Sequence, residues 1–247
     1  MKKNYKISVV TVTKNSEKFL EDCLVSVQNQ SYKNYEHLII DGNSNDNTID
    51  IIKKHKHGLA YWTSENDKGL YDAMNKGINK CSGDIIGILN SDDIYYEHTL
   101  KIVNDYFNEN EDLDFLFGSV YKHKLLHGYK PKKIKWSFGF YTTHSVGFFI
   151  KRKAQFKVGL YNLKYKYSSD YDLFYRMIVK FKMKGMATKK DEIFGKFRRG
   201  GISSNLSYLE YLKENTKIRI DNGQNVLLVY IIFLIRLIKN IKKVFRQ

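Results

Sequence analysis

The chain has almost none of the residues that staple or break a fold: one proline and two cysteines in 247 residues. Cys23 lies within a helical pattern and Cys81 precedes a Ser-Gly turn, so neither a disulfide framework nor a cysteine metal knuckle is available. The expected compartment is reducing. Long apolar runs are also missing. Val226 to Ile235 is ten consecutive apolar residues, about half of what a bilayer crossing needs, and Arg236 interrupts any extension. The apolar stretch behind the basic start is only Ile7 to Val12 and is broken by Ser8 and Thr11, which suits a first strand better than a signal peptide. Acid is scarce as well. Forty-two Lys and Arg against 26 Asp and Glu give a formal net charge of +16, which fits partners that carry phosphate: nucleic acid, anionic lipid or a diphosphate substrate.

What is present is a regular alternation through the first half. Ile7 to Val12 reads as a strand, and Phe19, Leu20, Cys23, Leu24 and Val27 recur at helical spacing. His37 to Ile40 is a second strand, and a helix carrying Ile49, Ile51 and Ile52 follows the polar turn Gly42 to Asn47. Leu59 to Trp62 is a third strand, Tyr71 to Asn79 a helix and Ile85 to Leu89 a buried strand. This rhythm predicts an α/β fold with a mostly parallel, Rossmann-like central sheet and helices on both faces. The second half is less regular, with strands expected at Phe115 to Tyr121 and Ser145 to Ile150 and a helix from about Tyr171 to Phe181. Tyr121 to Trp136 is rich in Lys and His.

Open parallel sheets bind ligands at the carboxyl ends of their strands. Here those ends carry Thr13-Lys14-Asn15, then Asp41-Gly42, then Ser64-Glu65-Asn66-Asp67, and finally Asn90-Ser91-Asp92-Asp93. Three of the four deliver carboxylates to one edge. A nucleoside diphosphate sugar needs a slot for its base, polar contacts to the ribose and compensation for about two negative charges. Thr11, Thr13 and Asn15 can offer groups to a base, and Asp41 can accept a hydrogen bond from a ring N–H. Asn15 equally suits a helix cap and Asp41 a turn.

Four blocks, "ISVVTVTKN" (7–15), "LIIDGNSNDNT" (38–48) with "SENDKGLYDAMNKGI" (64–78), "GDIIGILNSDD" (83–93), and "SSDYDLFYRM" (168–177) with "GGISS" (200–204), occur in the order of a known family. From Ile7 to about Asn205 the chain resembles a family 2 inverting glycosyltransferase of GT-A fold, of the kind that builds bacterial surface polysaccharides. The resemblance implies that Asp67 contacts the nucleoside, with Asn90, Ser91 and Asp92 also at the donor. Asn90-Ser91-Asp92-Asp93 resembles the family's DXD-type motif, so Asp92 or Asp93 would hold Mg²⁺ or Mn²⁺ against the diphosphate. Asn90 stands where an Asp is common. The alternative is that the paired Asp residues cap a helix starting near Tyr95. Asp170 falls on the position of the family's catalytic base, with Ser169 in place of a frequent Glu; an N-cap role is compatible with that. The resemblance puts His144 near the acceptor and Arg198, Arg199 and Ser203 on a loop that can close over the diphosphate. No Gln-x-x-Arg-Trp motif of processive polymerases occurs, which favours one sugar per acceptor.

The expected organisation is a catalytic domain over residues 1–205 and a helical segment over 206–247. Residues 226–247 carry five positive charges and no acid. As a helix, Arg236, Lys239, Asn240, Lys243 and Arg246 would lie opposite Leu234, Leu237, Ile238, Ile241 and Phe245, a pattern for lying among anionic headgroups. A helix packed on the domain or on a second subunit in a homo-oligomer is the competing reading. The expected protein is peripheral on the inner face of the cell membrane, with a glycan or polyprenyl-diphosphate-linked saccharide as acceptor. A basic nucleic-acid-binding module or a non-catalytic scaffold is the alternative; no nucleic acid is expected, because carboxylates at the ligand edge repel a polyanion.

Overall fold

A computed structural model describes residues 3–136, 145–198 and 206–241. His144, Arg199, Ser203 and the basic tail from residue 242 lie outside these. Five strands of the central sheet come from the regular first half and its sequel: β1 (Ile7–Thr13), β2 (Tyr35–Asp41), β3 (Tyr61–Ser64), β4 (Ile85–Asn90) and β6 (Phe115–Phe117). With β9 (Phe148–Lys151) and β10 (Gly185–Ala187) they form seven strands in the order β10-β6-β9-β4-β1-β2-β3. All pairings are parallel except those of β9, which runs antiparallel to β4 and β6. The expected mostly parallel α/β sheet is therefore present.

β1, at the centre, is buried along its whole length, so it reads as a continuous apolar run on which only Ser8, Thr11 and Thr13 stand out. Helix α1 (Leu20–Gln28) covers one face with Leu20, Cys23, Leu24 and Val27, and α3 (Leu70–Lys80) covers the other with Met74 and Ile78. Between them in sequence, α2 (Thr48–Lys54) lays Ile52 against Leu20, Leu24 and Ile39. At the opposite end from the ligand edge, buried Glu36 accepts hydrogen bonds from Ser8 Oγ at 2.6 Å, from Ser82 Oγ at 2.6 Å and from the Ser82 N–H at 2.6 Å, and pairs with Lys6 at 2.7 Å. One carboxylate thus ties β1, β2 and the turn into β4.

Several boundaries depart from the sequence pattern. The third strand begins at Tyr61 because a 3₁₀ turn over Lys56–Gly58 uses the residues before it. Phe115 to Tyr121 is two strands: at Gly118 a side chain would lie 2.2 Å from the Phe194 ring, and beyond it β7 (Ser119–Tyr121) leaves for a second sheet. That sheet has the order β5-β11-β7-β8, built from β5 (Ile94–Tyr95), β11 (Ile193–Lys196), β7 and β8 (Leu125–Leu126). No helix starts at Tyr95; α4 (Thr99–Glu109) begins four residues on, so Asp92 and Asp93 are not helix caps. Ser145 to Gly147 is a 3₁₀ turn ahead of β9, which leads into α5 (Arg152–Val158). The helix expected to Phe181 is α6 (Ser169–Tyr175) followed by a π-helical turn over Arg176–Lys180.

The carboxyl-terminal segment is a helical hairpin. A Ser207–Glu210 capping box starts α7 (Tyr208–Asp221), and the Asn225 side chain caps α8 (Val226–Lys239). α7 buries Leu212 and Ile218, the latter in the main core, and Asn222 at its end donates to Asp172 of α6 at 2.7 Å. On α8 only Val229 and Ile232 are buried. Leu227, Tyr230, Ile231, Leu234, Ile235 and Ile238 are 45% to 72% exposed and form an outward apolar stripe. Arg236 turns the other way, donating to the Trp136 carbonyl at 2.8 Å. Arg236 thus lies opposite Leu234 and Ile238, as expected, but it is tied to the domain, as in the competing reading of a packed helix, and is not set among headgroups. Among the described residues no helix is long and apolar enough to cross a membrane.

Candidate active site

The carboxyl ends of β1 to β4 meet at one edge of the sheet. At the end of β2, Asp41 is fully buried, and its carboxylate accepts from the Ser44 N–H at 2.9 Å, Ser44 Oγ at 2.5 Å and Ser64 Oγ at 2.7 Å. Asp41 therefore shapes the 41–48 turn and fastens it to β3; its carboxylate is not held open toward a base. Asn15, with a left-handed φ of 50°, receives the Asn45 N–H at 2.9 Å and donates its own N–H to Ser44 Oγ at 2.8 Å. It bridges the β1 and β2 loops and caps nothing, since α1 begins at Leu20.

Thr11 is a correction. Strand alternation turns its side chain under α1, where the hydroxyl is 2.9 Å from His37 Nε2, so it does not reach the edge. The same burial depresses the His37 imidazole to about 3. Thr13, on the same face but at the strand end, keeps a buried hydroxyl that no group among the described residues satisfies. Asp67 is better placed. Its Oδ1 accepts the Gly69 N–H at 2.8 Å, and Oδ2 lies across Gly42 so closely that a Cβ there would sit 2.3 Å away. Gly42 makes room for this carboxylate.

After β4, Asn90 donates to Ser145 Oγ at 3.2 Å, and Ser91 Oγ lies 2.8 Å from Ser16 Oγ. Asp92 is half-buried and Asp93 wholly buried. Burial raises both carboxyls, and the adjacent Asp92 charge helps push Asp93 up to about 8. Two adjacent acids held at this electrostatic cost are matched to a hard cation. Among the described residues no three His, Cys, Asp or Glu gather as a metal cluster, so substrate oxygens would have to complete the shell of any ion held here. The Arg198 N–H donates to Asp93 Oδ1 at 3.1 Å. Its guanidinium pairs with Asp22 at 2.5 Å and lies 4.8 Å from the Phe19 ring centroid. Arg198 thus stands beside Asp93, anchored to α1.

Asp170 is the second residue of α6 and stays partly exposed. It accepts the Tyr171 N–H at 2.8 Å, and the Tyr71 hydroxyl lies 3.5 Å from its Oδ1 while donating to the Tyr167 carbonyl at 3.0 Å. Burial first, then the Asp170 charge, holds the Tyr71 phenol well above its ordinary range. Ser169, where the family often has Glu, is turned to the Asn162 carbonyl at 2.9 Å. Asp172 serves the fold, pairing with Arg176 at 2.9 Å while Arg176 donates to the carbonyls of Val158 and Leu160. Tyr71 has no distinguishing signal in the sequence. It fits the apolar face of α3, and only the fold shows that its hydroxyl reaches from α3 to α6.

Residues 8–167 match the Glycosyl transferase family 2 model. The chain belongs to this family. Asp170 lies three residues past the matched segment. An uncharacterized glycosyltransferase of Mycobacterium tuberculosis is 42% identical over 88 residues, 35% of this chain and 34% of that one, so this match spans about a third of the relative's length. A Mycobacterium bovis protein named PGL/p-HBAD biosynthesis glycosyltransferase is 27% identical over 222 residues, 83% of this chain and 82% of that one. Among solved structures, S. aureus TarS 1-349 in complex with UDP-GlcNAc superposes with a TM-score of 0.71 at 17% identity, covering 95% of this chain and 73% of that one. The Pyrobaculum calidifontis mannosyltransferase in complex with GDP-Man and Mn²⁺ gives 0.69 at 15%, covering 94% and 69%. At these identities the structures share the fold, and the family 2 sheet is of the GT-A type.

Proposed function

We propose that this protein moves one sugar from a nucleoside diphosphate sugar to a hydroxyl of a glycan or lipid-linked saccharide, with inversion at the anomeric carbon. What supports the reading is the placement of acids at element ends: Asp67 follows β3, Asp92 and Asp93 follow β4, and Asp170 begins α6, where the Tyr71 hydroxyl of α3 comes within 3.5 Å of it. Family membership and the UDP-GlcNAc bound by a protein of the same fold support a UDP-sugar donor.

In this reading Asp67 and the Thr13–Asn15 main chain border the nucleoside, with Asn90 and Ser91 beside the ribose. Asp92 and Asp93 would hold Mg²⁺ or Mn²⁺, which would neutralise the departing diphosphate; the Mn²⁺ complex of the mannosyltransferase is in keeping with this. Asp170 takes the proton of the acceptor hydroxyl as its oxygen bonds to the anomeric carbon and the bond to the diphosphate oxygen breaks on the opposite face. The Tyr71 hydroxyl borders that carboxylate at 3.5 Å. Arg198 would add positive charge at the leaving group, joined in this reading by Arg199 and Ser203, with His144 toward the acceptor.

The outward apolar stripe of α8 belongs, in the same proposal, against an anionic lipid surface. Lys239, Lys242, Lys243 and Arg246 with no acid after Val226 supply the matching charge. Two buried thiols suit the reducing side, the inner face of the membrane, where a lipid-linked acceptor in cell-surface polysaccharide synthesis would be met. NMR of the glycoside product tests the chemistry: an inverted anomeric configuration, absent with Asp170→Asn, is expected, and a retained configuration would overturn the single displacement.

A further inference from the structure

Three consecutive main-chain carbonyls are held by side chains from three different elements. Tyr171 of α6 donates its hydroxyl to the Ile134 carbonyl at 2.8 Å, Gln224 from the α7–α8 turn donates to Lys135 at 3.0 Å, and Arg236 of α8 donates to Trp136 at 2.8 Å. The Trp136 N–H is itself bonded to the Lys133 carbonyl at 2.9 Å, and the Ile134 side chain is buried in the main core. The backbone is thus held from three elements, while Trp136 itself is 54% exposed. An exposed indole on a backbone held in this way has only two side-chain torsions to order, so it offers a flat face at low entropic cost to whatever binds it.

Its location narrows the ligand. Tyr171, which holds the segment, directly follows Asp170. Tyr211 of α7 feels charges from both: burial first and then Asp170 raise its phenol, and Arg236, which holds Trp136, acts the other way. Arg236 reaches Trp136 from the packed side of α8, the side of Val229 and Ile232, away from the outward apolar stripe. The polarised C–H face of a pyranose is the complement of an indole's negative π face. We propose that Trp136 is a platform for a sugar ring of the acceptor, and that the α7–α8 hairpin is the clamp that holds it beside the base. The proposal rests on the glycosyl-transfer reading of the site.

The chain contains two tryptophans, so Trp62→Phe leaves Trp136 as the sole indole. Its emission is titrated, without nucleotide, with methyl glycosides of glucose, galactose and N-acetylglucosamine, and separately with phosphatidylglycerol vesicles. A saturable change with at least one glycoside is expected. With that glycoside as acceptor, Trp136→Ala should raise acceptor KM by about tenfold while the nucleotide-induced thermal shift is unchanged, and Trp136→Phe should recover most of the loss. Emission that responds only to vesicles, or to nothing, overturns the platform, as does an unchanged acceptor KM in Trp136→Ala. Absence of any nucleotide-induced shift in the unmutated protein would contradict the donor site instead, and the emission titration, which requires no turnover, still decides the platform.

Discussion

Replacing Glu36 by Gln keeps the size of the side chain and removes the charge that gathers Lys6, Ser8 and Ser82 at the rear of the sheet. Burial acts to raise this carboxyl, but those hydrogen bonds outweigh it and hold it at about 2, against an ordinary glutamate value near 4.3. The gap corresponds to about 3 kcal/mol, which the exposed, salt-screened Lys6 end reduces to about 2 kcal/mol. A depressed folded-state value means that the contribution is complete above about pH 5 and is lost as the pH falls toward 2. For a chain of this size each kcal/mol moves Tm by roughly 2–4 °C. Thermal unfolding of both proteins at pH 7 and pH 3 should therefore show Glu36→Gln lower by roughly 4–8 °C at pH 7, with the difference about halved at pH 3. An equal difference at both pH values, or none at pH 7, would refute the reasoning.

Other outcomes follow from the site. Asp170→Asn should lower kcat by about 10²–10⁴-fold while the nucleotide-induced thermal shift is retained, because the base acts on the acceptor. Gly42→Ala puts a methyl group where Asp67 Oδ2 now lies and should weaken nucleotide binding by about tenfold, read by calorimetry, with the unliganded Tm little changed. Leu234→Asp with Ile238→Asp should abolish sedimentation with phosphatidylglycerol vesicles and leave the fold intact, since both side chains point outward. Undiminished sedimentation would remove α8 from the membrane proposal.

The first half of the fold is legible in the sequence because each strand there is a short apolar run and each helix shows one buried stripe. Ile7 to Val12 and Leu20 to Val27 carry their own periods. The second half is harder to read because its structure depends on distant partners. Phe115 to Tyr121 looks like one strand until the Phe194 ring, far along the chain, occupies the space above Gly118. The end of α6 widens into a π turn where Arg176 is drawn to Asp172 and to the carbonyls of Val158 and Leu160.

The candidate site shows the same division. Acids at the ends of β3 and β4 and at the start of α6 follow from strand ends and from the family resemblance, and they lie at those element ends in the fold. What each acid already binds does not follow from sequence. Asp41 looks as open as Asp67 in the sequence, but Ser44 and Ser64 occupy its carboxylate oxygens. Thr11 sits one pleat too deep in β1 to face the edge. Tyr71 carries no signal beyond an apolar position, since a phenol that packs like a core residue reveals its hydroxyl's partner only in three dimensions.

The measurement that bears most directly on the account is the thermal stability of the purified protein with UDP, GDP, dTDP or CDP, each with and without Mn²⁺. A ligand bound only by the folded state raises the midpoint. One nucleotide, UDP by this account, should raise Tm in a Mn²⁺-dependent way, and Asp92→Asn with Asp93→Asn should remove the Mn²⁺ dependence. Folded protein that shifts with none of them would contradict a nucleotide-sugar site at this edge.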